Sequence, residues 1–275
     1  MDHFRDKVSI VTGGASGIGR ALGEELAHRG AIVMLADRNA QLLSEVGDSI
    51  AENGGSVETT SLDVSDFDAV KKMIEGFHGK HSRLDFIFNN AGIAVGGEVR
   101  DCSIDDWGDV LDVNLRGVVN GVACTYPLMV QQGFGHIVNT ASIEGLVPFP
   151  GTASYVASKF GVVGLSNALR IEGADLGVRV SVVCPGYIKT PIFQTSKMIK
   201  IDREKMLESL PDRLGITPEK CASIILRGVE RNKAIIVVTA FAKLFWLLQR
   251  ISPNFMLWFM RKKLQKSRKE VRVED

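Results

Sequence analysis

Cysteine is scarce and scattered in this sequence. Cys102, Cys124, Cys184 and Cys221 make no C-x-x-C pair, and their spacings fit neither a zinc site nor a small disulfide framework. Such thiols, behind an opening of Met1-Asp2-His3-Phe4-Arg5-Asp6 that has no apolar signal core, predict a reducing, cytoplasmic setting. Histidine is sparse too. His3, His28, His78, His81 and His136 form no ligand cluster, so no metal is expected. Net charge is nearly absent: 33 Lys and Arg face 32 Asp and Glu, and the remaining +1 gives no general attraction to nucleic acid. Internal repeats and low-complexity linkers are missing, so 275 residues read as one domain with an addition rather than two domains. What is present is ordinary globular composition, 45% hydrophobic and 24% charged, which excludes a disordered or fibrous chain.

Short Val- and Ile-rich runs alternate with amphipathic stretches. The pattern predicts strands over 7–12, 31–37, 56–61, 84–89, 136–141 and 178–184, with a weaker one over 234–238. Helical spacing lies between them, as over 19–29 and 66–78. Strands alternating with helices imply right-handed βαβ crossovers, hence an α/β fold with a mostly seven-stranded parallel sheet. Ile32-Val33-Met34-Leu35 is apolar at every position, as a strand covered on both faces requires.

Directly after the first strand comes Thr12-Gly13-Gly14-Ala15-Ser16-Gly17-Ile18-Gly19, which opens a helix. Glycines suit a tight turn whose main chain must approach a pyrophosphate, and the helix start aims free N–H groups and a positive dipole end at it. Gly13, Ser16, Gly17, Ile18 and Gly19 are therefore candidate cofactor contacts, and the domain reads as a doubly wound Rossmann unit over 1–239. Asp37 ends the second strand, where a carboxylate accepts from both ribose hydroxyls and repels a 2′-phosphate, favouring NAD. Arg38 beside it leaves NADP open, because an Arg there can bind that phosphate.

Tyr155 and Lys159 share one helix face at i, i+4, where an ammonium would favour the phenolate and lower the tyrosine pKa. Ser142, at the end of the 136–141 strand, is placed to hydrogen-bond a reacting oxygen. Together the glycine turn, Asn89-Asn90-Ala91-Gly92, Ser142, Tyr155–Lys159 and Pro185-Gly186 resemble the short-chain dehydrogenase/reductases, in the short rather than the extended branch. The resemblance runs from about Asp6 to Val238.

That resemblance implies Tyr155 as general acid/base, Lys159 as the group that lowers its pKa and holds the nicotinamide ribose, and Ser142 as the polariser of the carbonyl oxygen. It implies Asn114, in Asp112-Val113-Asn114-Leu115, as a fourth catalytic residue that holds a relay water. Asp63 and Val64 match an adenine-contacting pair, Asn90 and Gly92 the adenosine side, and Pro185, Gly186, Ile188 and Thr190 the loop that meets the carboxamide. The implied activity is hydride transfer between NAD(P) and a secondary alcohol or ketone, in a homodimer or homotetramer. An NADPH-dependent ketoacyl or polyketide-type reductase and a non-catalytic dinucleotide sensor stand as alternatives; the complete Asn114, Ser142, Tyr155 and Lys159 set argues against the sensor.

A substrate flap is expected over about 191–214, offering Ile192, Phe193, Met198, Ile199, Met206 and Leu210. With Val147, Pro148 and Phe149 these bias the site toward a small hydrophobic substrate, steroid-, retinoid- or lipid-like. The extension 240–275 differs from the body. Six of the chain's 19 aromatics fall within 240–260, and the last 15 residues carry seven basic and three acidic groups. Phe241, Leu244, Phe245, Leu248, Ile251, Phe255 and Phe259 recur near helical spacing, broken at Pro253. Two readings remain: peripheral contact of 241–269 with an anionic membrane, or a helix pair packed on the subunit or across an oligomer.

Overall fold

The computed structural model describes residues 2–210 and 214–273, so 211–213 of the expected flap and the last two residues of the extension lie outside the described residues. The strands are β1 (Val8–Thr12), β2 (Ile32–Asp37), β3 (Ser56–Ser61), β4 (Phe86–Asn89), β5 (Val95–Gly96), β6 (Gly135–Thr140), β7 (Val178–Cys184), β8 (Lys197–Met198) and β9 (Ile235–Val237). The helices are α1 (Gly17–His28), α2 (Ala40–Glu52), α3 (Phe67–His81), α4 (Ile104–Leu111), α5 (Gly117–Gln132), α6 (Ala153–Gly173), α7 (Ile192–Thr195), α8 (Arg203–Glu208), α9 (Pro218–Glu230), α10 (Ala240–Ile251) and α11 (Pro253–Glu270).

Seven strands form one parallel sheet in the order β3-β2-β1-β4-β6-β7-β9, the Rossmann arrangement expected from the alternation. Each of the seven expected strands is present, displaced by no more than two residues at either end. Ile10 pairs with Met34 on one side and Ile87 on the other, so the strand order reverses between β1 and β4. That reversal opens a crevice at the carboxyl edge.

Alternate residues of each strand enter two separate cores. Val11, Val33, Leu35 and Phe88 pack with Leu22 and Leu26 of α1, Val46 of α2 and Ile225 of α9. Ile10, Met34 and Ile87 pack with Ile74 of α3, Val122 of α5 and Val162 of α6 on the other face. This second core also takes in Ala242 and Phe245 of α10 and Met256 and Met260 of α11, so the inner face of the extension is packed on the body. Ser252 ends α10 and starts α11, accepting from Phe255 N–H, with Pro253 in the first turn where its missing donor costs nothing.

The expected flap is built from α7, β8 and α8, and Ile192, Phe193, Met198, Ile199, Met206 and Leu210 are all half-buried. Pairing of β8 with β5 pins it beside the crevice. That two-stranded contact was not expected from the sequence.

Candidate active site

The glycine turn caps the carboxyl end of β1. Gly13 has φ +69°, and a Cβ there would sit 2.8 Å from Ala91 Cα. A Cβ on Gly19 would lie 2.0 Å from the Gly13 carbonyl oxygen, so only glycine lets the helix start fold against the turn. Ser16 precedes α1, yet among the described residues its hydroxyl makes no capping bond, which leaves first-turn N–H groups for an anion. Thr12 Oγ1 accepts from the N–H groups of Asn90 and Ala91 at 3.0 and 3.1 Å. The Asn90 amide donates to Thr12 O at 3.1 Å and accepts from Thr140 Oγ1 at 3.3 Å. Asn90 therefore ties the ends of β1, β4 and β6 together.

At the end of β2, Asp37 is built into the turn, accepting from Ala15 N–H at 3.1 Å and Asn39 N–H at 3.0 Å. Arg38 is exposed. The Asp63 carboxylate takes the Ser65 hydroxyl and N–H at 2.7 and 2.8 Å; these bonds pull its pKa down, with the charge of Arg38 adding to them. Val64 is buried against Gly117 of α5, and Ile18 packs on the edge of the α1 core. The donor set, the open helix start and the carboxylate at the strand end fit a dinucleotide.

Ser142, Tyr155 and Lys159 meet at the far side of the crevice. Tyr155 is half-buried and lies one helical turn before Lys159 on α6, with Ser142 near enough for its hydroxyl to favour the phenolate. Lys159 is 2% exposed; its Nζ donates to Thr140 O at 2.9 Å and lies 5.4 Å from the Tyr155 ring centroid. Burial drags the Lys159 pKa down to about 8, against the pull of Cys184 and Glu144. The Tyr155 phenol moves opposite to the sequence expectation. Burial pushes it well above its ordinary value, Glu144 adds to this, and the Ser142 hydroxyl opposes it. Lys159 faces the ring rather than the hydroxyl, so among the protein groups desolvation wins.

Asn114 lies in a π-helical turn, Asp112–Arg116, between α4 and α5. Such widened turns are concentrated at functional sites. Its Oδ1 accepts from Ile93 N–H at 2.8 Å and its Nδ2 donates to Ile93 O at 2.9 Å and Ser158 Oγ at 3.3 Å. A Cβ on Gly92 would lie 3.2 Å from Asn114 Oδ1 and 3.5 Å from Lys159 Nζ. Gly92 thus lies beside Asn114 and Lys159, while Asn90 faces Thr12 and Thr140.

The loop after β7 closes the arrangement. Pro185 O accepts from Ile143 N–H at 2.8 Å, and a Cβ on Gly186 would lie 2.2 Å from Thr239 Oγ1. Ile188 is buried and bridges to Ile216, while Thr190 reaches Gly17, where an added Cβ would lie 3.1 Å from Thr190 Cγ2. Nicotinamide-side and phosphate-side candidates are thereby joined. Sequence reasoning missed Glu144, whose one signal is its position two residues after Ser142. Burial pushes its carboxyl up to about 7, opposed by Thr152 and the charge of Lys159.

Comparison with known proteins agrees with this geometry. The family model for short chain dehydrogenase matches residues 7–199. Cyclohexanol dehydrogenase of Acinetobacter sp. is 38% identical over 206 residues, covering 73% of this chain and 81% of that protein. The 3-oxoacyl-acyl-carrier-protein reductase FabG of Thermotoga maritima is 37% identical over 225 residues, covering 82% and 90%. The crystal structure of a short chain dehydrogenase/reductase from Burkholderia phymatum in complex with NAD superposes with a TM-score of 0.83 at 27% identity, covering 93% and 96%. The chain belongs to the short-chain dehydrogenase/reductase family, and it is an NAD(P)-binding oxidoreductase.

Proposed function

We propose that this protein interconverts a hydrophobic secondary alcohol and its ketone, preferring NAD(H) to NADP(H). The observation that carries the reading is the Ser142–Tyr155 pair beside buried Lys159, facing a glycine cradle that ends at Asp37. The bound dinucleotide would take or give the hydride. Gly13, Ser16, Gly17, Ile18 and Gly19 would hold its phosphates and Asp37 its ribose; Asp63, Val64 and Asn90 line the adenosine side, and Pro185, Gly186, Ile188 and Thr190 the nicotinamide side. Ser142 Oγ donates to the substrate oxygen, and Tyr155 Oη gives that oxygen its proton in reduction or takes it in oxidation. Lys159 stabilises the phenolate by its charge once the phenol is ionised. Asn114, whose side chain is fixed by Ile93 and Ser158, would hold the relay water as the fourth catalytic residue.

The half-buried apolar flap with buried Val147 supports a steroid-, retinoid- or lipid-like substrate. Exposed Arg38 favours one competing reading, an NADPH-dependent ketoacyl-type reductase. Nicotinamide absorbance over a panel of hydrophobic secondary alcohols, with NAD and with NADP, separates the two. Turnover with NAD that falls at least about a thousandfold in Tyr155→Phe, while NADH binding persists, is expected. Equal turnover in the variant would refute the acid/base assignment.

We assign 1–239 to catalysis and 240–275 to an extension that contacts an anionic membrane surface. Leu244, Leu247, Ile251, Leu257 and Trp258 are each at least half exposed on the outer side of α10 and α11, flanked by Lys243, Arg250, Arg261, Lys262 and Lys263. Among the described residues no helix is long and apolar enough to cross a membrane. Four free thiols, two of them buried, support a cytoplasmic setting. Exposed Val119 on α5 and Phe160 on α6 support self-association, which sedimentation velocity tests.

A further inference from the structure

The turn after β6 carries a carboxyl group for which the reaction has no use. Glu144 lies in the 3-10 turn Ile143–Gly145, which is fixed from several sides. Ser142 Oγ accepts from Glu144 N–H at 3.1 Å, and Gly145 lies so close to α6 that a Cβ there would sit 2.6 Å from Lys159 O. The Glu144 side chain is half-buried, and its Oε2 accepts from Thr152 Oγ1 at 2.6 Å, just where α6 begins, one turn before Tyr155. Among the described residues this is its single side-chain bond, so Oε1 has no protein donor. Buried Val147 and half-buried Phe149 follow on the same loop. Oε1 therefore relies on water, and a molecule that displaces that water has to supply the donor itself.

We propose that Glu144 determines substrate specificity: Oε1 accepts a hydrogen bond from a second polar group, a hydroxyl or an ammonium, carried by the substrate near its reacting carbon. The inference rests on the dehydrogenase reading and narrows it from a plain hydrophobic alcohol to a diol, hydroxyketone or amino alcohol. Ser142 and Tyr155 take the reacting oxygen, and Glu144, two residues along the same rigid turn, takes the neighbouring group. Discrimination of this kind is steep, because a substrate that displaces water from Oε1 without bringing a donor leaves that acceptor unpaired.

The test measures kcat and KM with NAD for cyclohexanol, 1,2- and 1,3-cyclohexanediol and 2-aminocyclohexanol, in the wild type, Glu144→Gln and Glu144→Leu. The wild type is expected to prefer at least one donor-bearing probe over cyclohexanol by about tenfold or more in kcat/KM. Glu144→Leu should erase that preference mainly through KM. Glu144→Gln should keep it for the diols and lose it for the amino alcohol. Two outcomes overturn the proposal: a wild type that handles cyclohexanol as well as every other probe, or a Glu144→Leu enzyme that loses activity by one common factor on all four. Silence of the wild type on all four probes while NADH still binds is a different failure; it overturns the dehydrogenase reading and this inference with it.

Discussion

Replacing Lys159 by methionine separates what the residue costs the fold from what it does in the site. Lys159 is 2% exposed, its Nζ is bonded to Thr140 O, and burial holds its pKa near about 8 against an ordinary 10.5. At pH 7.5 the unfolded chain carries the proton, as does most of the folded protein, and folding bears the cost of a buried cation. The interval from about 8 to 10.5 corresponds to about 3 kcal/mol. Between those two values the unfolded chain binds more protons than the folded one, so stability rises with pH and the burden fades. By pH 9.5 only about 1 kcal/mol of it remains. Methionine removes the charge while leaving the Thr140 carbonyl unpaired, which costs about 1–2 kcal/mol. Urea unfolding should therefore find Lys159→Met more stable than the wild type by about 1–2 kcal/mol at pH 7.5, an advantage that shrinks by about 2 kcal/mol at pH 9.5. Turnover should be lost at both pH values. A stability difference identical at the two pH values would refute the buried-cation argument.

Asp37→Ser should lower the NAD-to-NADP ratio of kcat/KM by at least about tenfold, and an unchanged ratio would mean that Asp37 does not read the ribose. Gly13→Ala forces a side chain onto φ +69° and within 2.8 Å of Ala91 Cα. It should cost about 1–3 kcal/mol in thermal stability and weaken NADH in a fluorescence titration. His136 is buried, hydrogen-bonded to Ser181, and held by desolvation at about 3. Between about 3 and 6.5 the unfolded chain binds the extra proton, so stability falls as pH drops through that window, and His136→Gln should flatten the acid limb of a denaturation series.

The strands were legible because runs such as Ile32–Leu35 must be apolar on both faces of a covered parallel sheet, a demand that leaves a continuous trace. β5 and β8, of two residues each, carry no periodicity; their pairing is set by Gly96 and Met198 meeting across more than a hundred residues. Position in sequence also singled out Ser142, Asn114, Tyr155 and Lys159 as candidates, yet not their electrostatics. Spacing at i, i+4 reveals that an ammonium is near a phenol, but not that both are withdrawn from water, and it is the withdrawal that decides the direction of the Tyr155 shift. The π-helical turn at Asn114 is a one-residue widening without a residue-type signature. Glu144 reads as an ordinary turn carboxylate until Thr152, eight residues on, is brought against it. Adjacency in sequence also hides that Asn90 is bonded to Thr12 and Thr140 while Gly92 lies against Asn114 and Lys159.

The extension is tied to the flap, and this decides how membrane contact must be tested. Arg268 forks onto Glu98 at 2.9 and 2.6 Å, and Arg272 onto Asp101 at 2.8 and 3.2 Å, both in the segment after β5, the strand that pairs with β8 of the flap. Backbone bonds add to these: Asp202 N–H to Val271 O at 2.9 Å and Val273 N–H to Lys200 O at 3.1 Å. Deleting 241–275 therefore removes support from the segment carrying Met198, Ile199 and Met206, and strips Phe245, Met256 and Met260 out of the core. Loss of vesicle binding after such a deletion has two explanations. Point changes separate them. Leu247→Glu with Trp258→Glu alters only exposed side chains, so co-sedimentation with phosphatidylserine vesicles should be lost while kcat/KM stays within about twofold of the wild type. Arg268→Ala with Arg272→Ala should do the reverse, raising KM through a loosened flap while vesicle binding persists. If either pair moves both readouts together, the outward face of α10 and α11 is not an independent lipid surface, and the strap and the surface act as one element.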